Sequence, residues 1–382
     1  MTLRQRPVLI TLLVLLSLSL LALPLLSVAP NRLVSGQPLR LWQVAQGWLL
    51  LLPLVALWLG VLGRVSRVRA VAMLLTVDLL LALLFWLSGE AASTLAQGGP
   101  LVRTAFGSGF WCAIACALLL AAETIRSLTA RSAGRIGLNL HLWLLPLALL
   151  VSGHLDTLSL LKEYANRRAV FNAALGQHLW LLGGTLLPAL LIGVPLGVAV
   201  ARSPRAQGGT FSVLNVIQTV PSVALFGLLI APLAALASAF PLLAREGISG
   251  IGTAPALIAL VLYALLPLVR SVVAGLQQVP PEVRETARGM GMSPWQQFWQ
   301  AELPLALPVW LSGLRVVVVQ TIGLAVVAAL IGAGGFGAIL FQGLLSSALD
   351  LVLLGVIPVV ALAVLADAML RLLSAMLEKH HD

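Results

Sequence analysis

Sixty per cent of the 382 residues are hydrophobic and only 9% are charged, with a mean hydropathy of +1.05. A soluble domain carries about 25% charge, so lipid is the main solvent of this chain and an aqueous enzyme fold is excluded. The net charge of +10 comes from 23 scattered Lys and Arg residues; no basic run is dense enough for nucleic acid, and the scatter suits the cytoplasmic loops of a membrane protein.

About 20 apolar residues cross a bilayer as a helix. That length predicts ten spans, at 8–28, 45–63, 69–88, 105–122, 136–153, 178–200, 210–233, 253–276, 308–330 and 351–375. The first is longer than the usual 7–15-residue signal core and reads as a retained anchor. The third carries Asp78, an intramembrane acid best explained by pairing with another helix. The fourth carries Cys112 and Cys116, four apart and without further metal ligands nearby, which suits small residues packed between helices. With the N-terminus inside, 16 Lys and Arg fall on the cytoplasmic side and 7 on the other, so both termini are expected in the cytoplasm.

A long polar segment, 154–177, follows the fifth span. Leu158, Leu161, Tyr164 and Ala165 recur there at helical spacing, which predicts an amphipathic helix on the membrane or on a partner. It divides the chain into an N-terminal region, 1–177, and a C-terminal region, 178–376, with a polar tail at 377–382. One cytoplasmic loop is long, 277–305. Pro280, Pro281, Glu282 and Glu285 suit a helix start, and Gly289 and Gly291 break that helix. Ser293, Pro294 and Gln296 then have the spacing of a capping box, and Pro304 is expected to end the second helix. Met290, Met292, Trp295, Phe298 and Trp299 are poor residues to leave in water, so the loop calls either for a protein partner or for the membrane interface, as an amphipathic helix with Trp at headgroup level.

The run Gly332-Ala333-Gly334-Gly335-Phe336-Gly337 reads literally as G-x-G-x-x-G. A dinucleotide turn of that form needs a buried strand before it and an acidic residue about 20 positions on. Here an apolar span precedes it and Asp350 comes too soon. Gly332, Gly334, Gly335 and Gly337 are therefore read as a sharp helix end that either packs closely or lines a gate. No Walker A sequence occurs, and no His/Cys/carboxylate cluster has ligand or catalytic spacing, so neither a metal nor a cofactor is expected.

Glu285-Thr286-Ala287, then Gly291, then Leu303-Pro304 resembles the E-A-A, G and L-P loop of ABC-importer permeases. Thr286 stands for the usual Ala, and Ala301 for a bulkier aliphatic. The stretches 215–229, 256–280 and 330–358 resemble permeases of glycine betaine, choline and carnitine importers, and the whole chain is similar to the Yeh-type, low-affinity osmoprotectant permeases of enteric bacteria. The resemblance implies an all-α polytopic protein of the bacterial inner membrane with a five-helix, MetI-like type I importer core at 178–376. It implies that loop 277–305 docks on a separate ABC ATPase subunit. It also implies a second permease subunit, either a paralogue or a copy, and a periplasmic substrate-binding protein. Asn215, Gln218, Thr219, Ser222, Gln320 and Thr321 fall in its core spans, where a quaternary ammonium zwitterion needs weak dipoles rather than a trap of opposite charge. Pro188, Pro195, Pro221, Pro232 and Pro267 are expected to bend those helices. A permease for another small solute such as an amino acid is the nearest alternative. An ion-coupled secondary transporter built on Asp78 would need inverted repeats, which the sequence does not display.

Overall fold

The computed structural model describes residues 5–32, 34–62, 66–99, 101–245 and 247–378. Arg4, Arg64 and Lys379, counted above for orientation, lie outside these residues, as does most of the 377–382 tail. The chain forms two compact units, Met1–Asn166 and Arg167–Asp382.

The first unit contains α1 (Gln5–Leu21), β1 (Leu26–Ala29), β2 (Gln37–Leu39), α2 (Leu51–Leu62), α3 (Arg67–Ala96), β3 (Arg103–Phe106), α4 (Ser108–Leu128), α5 (Ser132–His141), α6 (Leu144–Val151) and α7 (Ser159–Asn166). Leu9, Leu13, Leu16 and Leu20 have no exposed surface; their spacing of three and four places them on one face of α1. Gly109 lets α4 approach that helix, since a Cβ there would lie 2.7 Å from the Ser19 carbonyl oxygen.

Two expectations change here. The first span ends at Leu21, not at 28, because Pro24 lacks an N–H and the chain turns into a strand. That strand is the centre of a small antiparallel sheet ordered β2-β1-β3, in register Leu26–Leu39 and Leu26–Phe106. The amphipathic segment has its own chain as partner. Helix α7 lies against β3, with Lys162 Nζ donating to the Val102 carbonyl at 3.1 Å, while Glu163 sits 3.5 Å from Arg32 and 3.7 Å from Arg103.

The second unit contains α8 (Arg168–Arg202), α9 (Pro204–Thr219), α10 (Ser222–Ala239), α11 (Pro241–Arg245), α12 (Thr253–Gln277), α13 (Pro281–Gly289), α14 (Pro294–Gln297), α15 (Leu303–Val327), α16 (Phe336–Leu345) and α17 (Leu349–Glu378). Helix α8 starts ten residues ahead of the expected 178 and spans about 52 Å at 1.5 Å per residue. Helices α8, α12 and α15 form its centre. A Cβ on Gly193 would lie 2.7 Å from Leu268, and one on Gly197 2.6 Å from Val272, so these two small residues, one turn apart, let α8 and α12 pack closely.

The expected span 210–233 is instead two helices. Val220, extended at φ −69° and ψ 126°, breaks them, as the residue before Pro221 must avoid helical geometry. Pro188, Pro195, Pro232 and Pro267 lie inside helices. Among the described residues, eight helical segments are long and apolar enough to cross a membrane, with shorter apolar helices at Arg6–Leu21, Gly47–Leu62 and Phe336–Leu345. The protein is thus an all-α polytopic membrane protein with one minor sheet.

Asp78 finds its partner across the first unit, with Oδ2 3.3 Å from His141 Nδ1. Asp367 pairs one turn along with Arg371 at 2.7 Å and across to Arg315 of α15 at 3.0 Å.

Candidate functional site

The 277–305 loop folds as two short helices around a glycine elbow. Pro281 occupies the first position of α13, whose N–H would have no helical partner. Ser293 caps α14: its Oγ accepts from the Gln296 N–H at 3.3 Å, and Gln296 Oε1 accepts from the Ser293 N–H at 2.9 Å. Between them Gly291 takes φ +77°, a left-handed backbone that costs a side-chain-bearing residue about 1–2 kcal/mol. A Cβ at Gly291 would meet nothing within 4 Å, so within this unit the glycine serves the turn rather than packing.

Glu285 and Thr286 are exposed, while Ala287 is buried and holds α13 down. Met290, Trp295 and Trp299 are 65%, 71% and 48% exposed. Met292 and Phe298 are half-buried or less exposed than these. The loop therefore exposes apolar and aromatic side chains, with the Trp295 and Trp299 rings 5.4 Å apart, together with the Glu285 carboxylate.

Pro304 does not end the second helix. Residues Phe298–Glu302 form a π turn that runs directly into α15. The wider turn lets Pro304 sit in the first turn of α15, where a missing N–H is tolerated. Leu303 and Pro304 are half-buried at this junction.

The π turn places Glu302, 8% exposed, among three partners. Arg284 Nε of α13 lies 3.3 Å from Oε1, Arg202 Nη2 at the end of α8 lies 3.6 Å from Oε2, and Gln297 Nε2 donates to Oε1 at 3.1 Å. The Arg284 guanidinium also donates to the Leu276 carbonyl at the end of α12. The Arg202 guanidinium lies over the Phe298 ring at 5.4 Å. Sequence reasoning missed this cluster. The available signal was one acid, Glu302, directly before an apolar span.

The candidate pathway residues separate into two sets. Asn215 accepts from Arg270 Nη2 at 2.7 Å, and Gln218 donates to the Tyr263 carbonyl at 2.9 Å; both tie α9 to α12. The Tyr263 hydroxyl in turn donates to the Val220 carbonyl at the break. Thr219 bonds back to Val216 at 2.7 Å, and Ser222 opens α10. Gln320 and Thr321 lie on α15, the first half-buried and the second buried. Among the described residues no hydrogen bond joins them to the α9 set.

The glycine run is a reversal between α15 and α16. A single 3₁₀ turn, Ala328–Ile331, closes α15. Gly332, Gly334 and Gly335 then take φ +83°, +78° and +74°. The Gly335 N–H, at the cap of α16, donates to Gln177 Oε1 at 2.8 Å. A Cβ at Gly334 would lie 2.2 Å from that same oxygen, and one at Gly337 2.0 Å from the Val326 carbonyl oxygen. A helix and a 3₁₀ turn precede the run rather than a strand, so it is no dinucleotide turn. Gln177 and the buried His178, whose ring lies 5.5 Å from Phe336, were not foreseen, because their partners lie more than 150 residues away.

Two family descriptions match the chain. Residues 4–161 match the N-terminal domain of the ABC transporter permease YehY. Residues 193–379 match the inner-membrane component of binding-protein-dependent transport systems. The osmoprotectant import permease protein OsmW of Salmonella typhimurium is 40% identical over 53% of this chain and 88% of its own length. OsmY of the same organism, also named an osmoprotectant import permease protein, is 37% identical over 57% of this chain and 87% of its own. The glycine betaine/carnitine/choline transport system permease protein OpuCB of Bacillus subtilis is 33% identical over 51% and 82%. Among solved structures, the inward-facing MetNI methionine ABC transporter aligns with 53% of this chain and 96% of its own at 20% identity and a TM-score of 0.45.

Proposed function

Because this chain belongs to the family of inner-membrane permease components of binding-protein-dependent ABC transport systems, we propose that it is the translocating subunit of an ATP-driven importer of osmoprotectants such as glycine betaine, choline or carnitine. The observation that carries this reading is the names of relatives aligned over most of their own length: osmoprotectant import in two, and glycine betaine, carnitine and choline transport in a third.

In this reading the chain is not itself an enzyme. It carries no Walker A sequence, so ATP is hydrolysed by a separate ABC ATPase subunit that docks on loop 277–305 through Glu285, Thr286, Ala287 and Gly291, with Leu303 and Pro304 at the junction to α15. A second permease subunit completes the pathway, and a periplasmic binding protein delivers the solute. The exposed aromatic side chains of the loop support the docking role, and the bias of Lys and Arg supports cytoplasmic termini. Asn215, Gln218, Thr219 and Ser222 at the α9–α10 break, with Gln320 and Thr321 on α15, supply the dipoles of the pathway. Residues 178–376 form the importer core and 1–177 an appended membrane region. The glycine run serves as a fixed reversal, supported by its three left-handed residues and by the lack of space for a Cβ at Gly334 and Gly337.

The test is uptake of labelled glycine betaine, choline and carnitine into proteoliposomes holding the chain with its ATPase and binding protein. ATP-dependent uptake of at least one is expected. Uptake of none of them, with ATP-driven uptake of an amino acid in its place, would redirect the substrate assignment. ATP hydrolysis that tracks the purified chain alone would overturn the permease reading.

A further inference from the structure

Glu302 is a buried carboxylate that meets four helices at one point. Its oxygens face Arg202 at the C-terminal end of α8 and Arg284 near the start of α13, with Gln297 of α14 donating as well. Arg284 also donates to the Leu276 carbonyl, where α12 ends. The carboxylate itself sits in the π turn that opens into α15. Helices α8, α12 and α15 are the centre of the second unit, whereas α13 and α14 lie in the loop outside it. No other ion pair among the described residues joins this loop to those central helices.

A buried ion pair is weak evidence for stability, because desolvation offsets much of the attraction, and its better-attested use is to select one arrangement over others. The apolar contacts around it tolerate sliding. Leu276, Val279 and Ala306 are buried side by side with Val283 and Leu303 packed on them, and such contacts are non-directional. The carboxylate, in contrast, has directed partners on α8, α13 and α14 together. Arg284 immediately precedes Glu285, so displacement of α13 by a docked partner moves the guanidinium that holds Glu302. The π turn matters in the same way: single wide turns within a helical path recur at functional sites. Here it lies between the loop and α15, and its last residue is the carboxylate.

We infer that Glu302 is a positioning residue that converts movement of the cytoplasmic loop into movement of α8 and α15. This inference rests on the importer reading above and deepens it. It assigns to Arg284, Arg202 and Glu302 the transmission step, distinct from the docking surface formed by the exposed residues of the loop. Loss of the carboxylate then uncouples: the ATPase still binds, because Glu285, Thr286 and Gly291 are untouched, and it still hydrolyses ATP, but hydrolysis no longer drives transport.

The experiment uses the complete importer in proteoliposomes, with whichever of labelled glycine betaine, choline and carnitine the wild type takes up. Solute transported per ATP hydrolysed is compared for wild type, Glu302→Gln, Arg284→Gln and the exchanged pair Arg284→Glu/Glu302→Arg. Glu302→Gln and Arg284→Gln should retain ATPase co-purification and lose at least tenfold in solute per ATP, with partial recovery in the exchanged pair. A purely structural role would lower the amount of assembled complex and leave that ratio unchanged, which would overturn the inference. A ratio within twofold of wild type in both single variants overturns it as well. Should Glu302→Gln fail to assemble, Arg284→Gln, at a partly exposed position, decides the matter by the same ratio. Failure of the wild type to transport any of the solutes counts against the osmoprotectant assignment instead, so the two failures are separable.

Discussion

Gly291→Asp is the sharpest test of the loop as a docking element. The residue sits at φ +77°, and a Cβ added there would have nothing within 4 Å, so the new side chain clashes with nothing in the chain itself. Two costs arise only on docking. The free loop can relax out of the left-handed backbone and must return to it when held; for Asp, which tolerates that region better than most residues, the cost is about 1 kcal/mol. The carboxylate must also lose its water against the partner without a built counter-charge, at about 2–5 kcal/mol. The sum, about 3–6 kcal/mol, weakens binding by roughly 10²–10⁴-fold at 1.4 kcal/mol per decade. Gly291→Ala isolates the strain and should weaken binding by only about 5–30-fold. The assay is the affinity of the purified ATPase for the permease in detergent, with solute uptake measured at matched membrane levels. Normal membrane levels with lost ATPase binding and lost uptake are expected for Gly291→Asp. If that variant binds the ATPase as tightly as wild type, the exposed elbow is not part of the docking surface.

Other outcomes follow from the same geometry. Gly337→Ala places a methyl group 2.0 Å from the Val326 carbonyl oxygen, which is backbone and cannot swing away; a loss of about 1–3 kcal/mol should appear as a lower thermal midpoint of the purified protein, and an unchanged midpoint would refute the packing role. In a background where Cys112 and Cys116 are replaced by Ser, Gln296→Cys and Asn172→Cys, both at exposed positions, should react with impermeant thiol reagents from opposite faces of the membrane; reaction of both from one face contradicts the expected placement of segment 154–177 outside and loop 277–305 inside. Asp78→Asn keeps the shape at the His141 contact and should leave ATP-driven uptake within about twofold, since Asp78 lies in the first unit, outside the proposed importer core. Abolished uptake, or a new dependence on an ion gradient, would return Asp78 to the transport chemistry.

The π turn bears on how such a loop can act at all. Had α14 stopped at Pro304, as the proline by itself suggests, loop and membrane helix would be joined by a flexible link and force would dissipate there. The chain instead runs from α14 into α15 without a break in the helical path. In the importer reading, rotation of α14 is thereby passed to the base of α15, with Glu302 at the joint.

Periodicity and length were enough to place most spans, because a segment in lipid must satisfy its backbone internally and only a helix of about 20 residues does so. Capping was equally legible: Ser293 and Gln296 form the reciprocal bonds that their spacing announces, since a cap is closed within one turn. Gly291 is left-handed where the helix pattern broke. What the sequence left open depends on residues far apart in the chain. Asp78 needed His141, more than 60 positions on, and Gly335 needed Gln177, more than 150 positions back. The split at Val220 is local, but an apolar run that is long enough hides it, as hydropathy counts side chains and not backbone breaks. The three short strands escaped for a related reason: three or four residues carry too little period to stand out beside leucine-rich helices. Glu302 shows the limit most plainly. Its chemistry is one acid beside an apolar run, and only the convergence of α8, α13, α14 and α15 brings two arginines and a glutamine to it, because burial makes a carboxylate recruit partners wherever the fold can supply them.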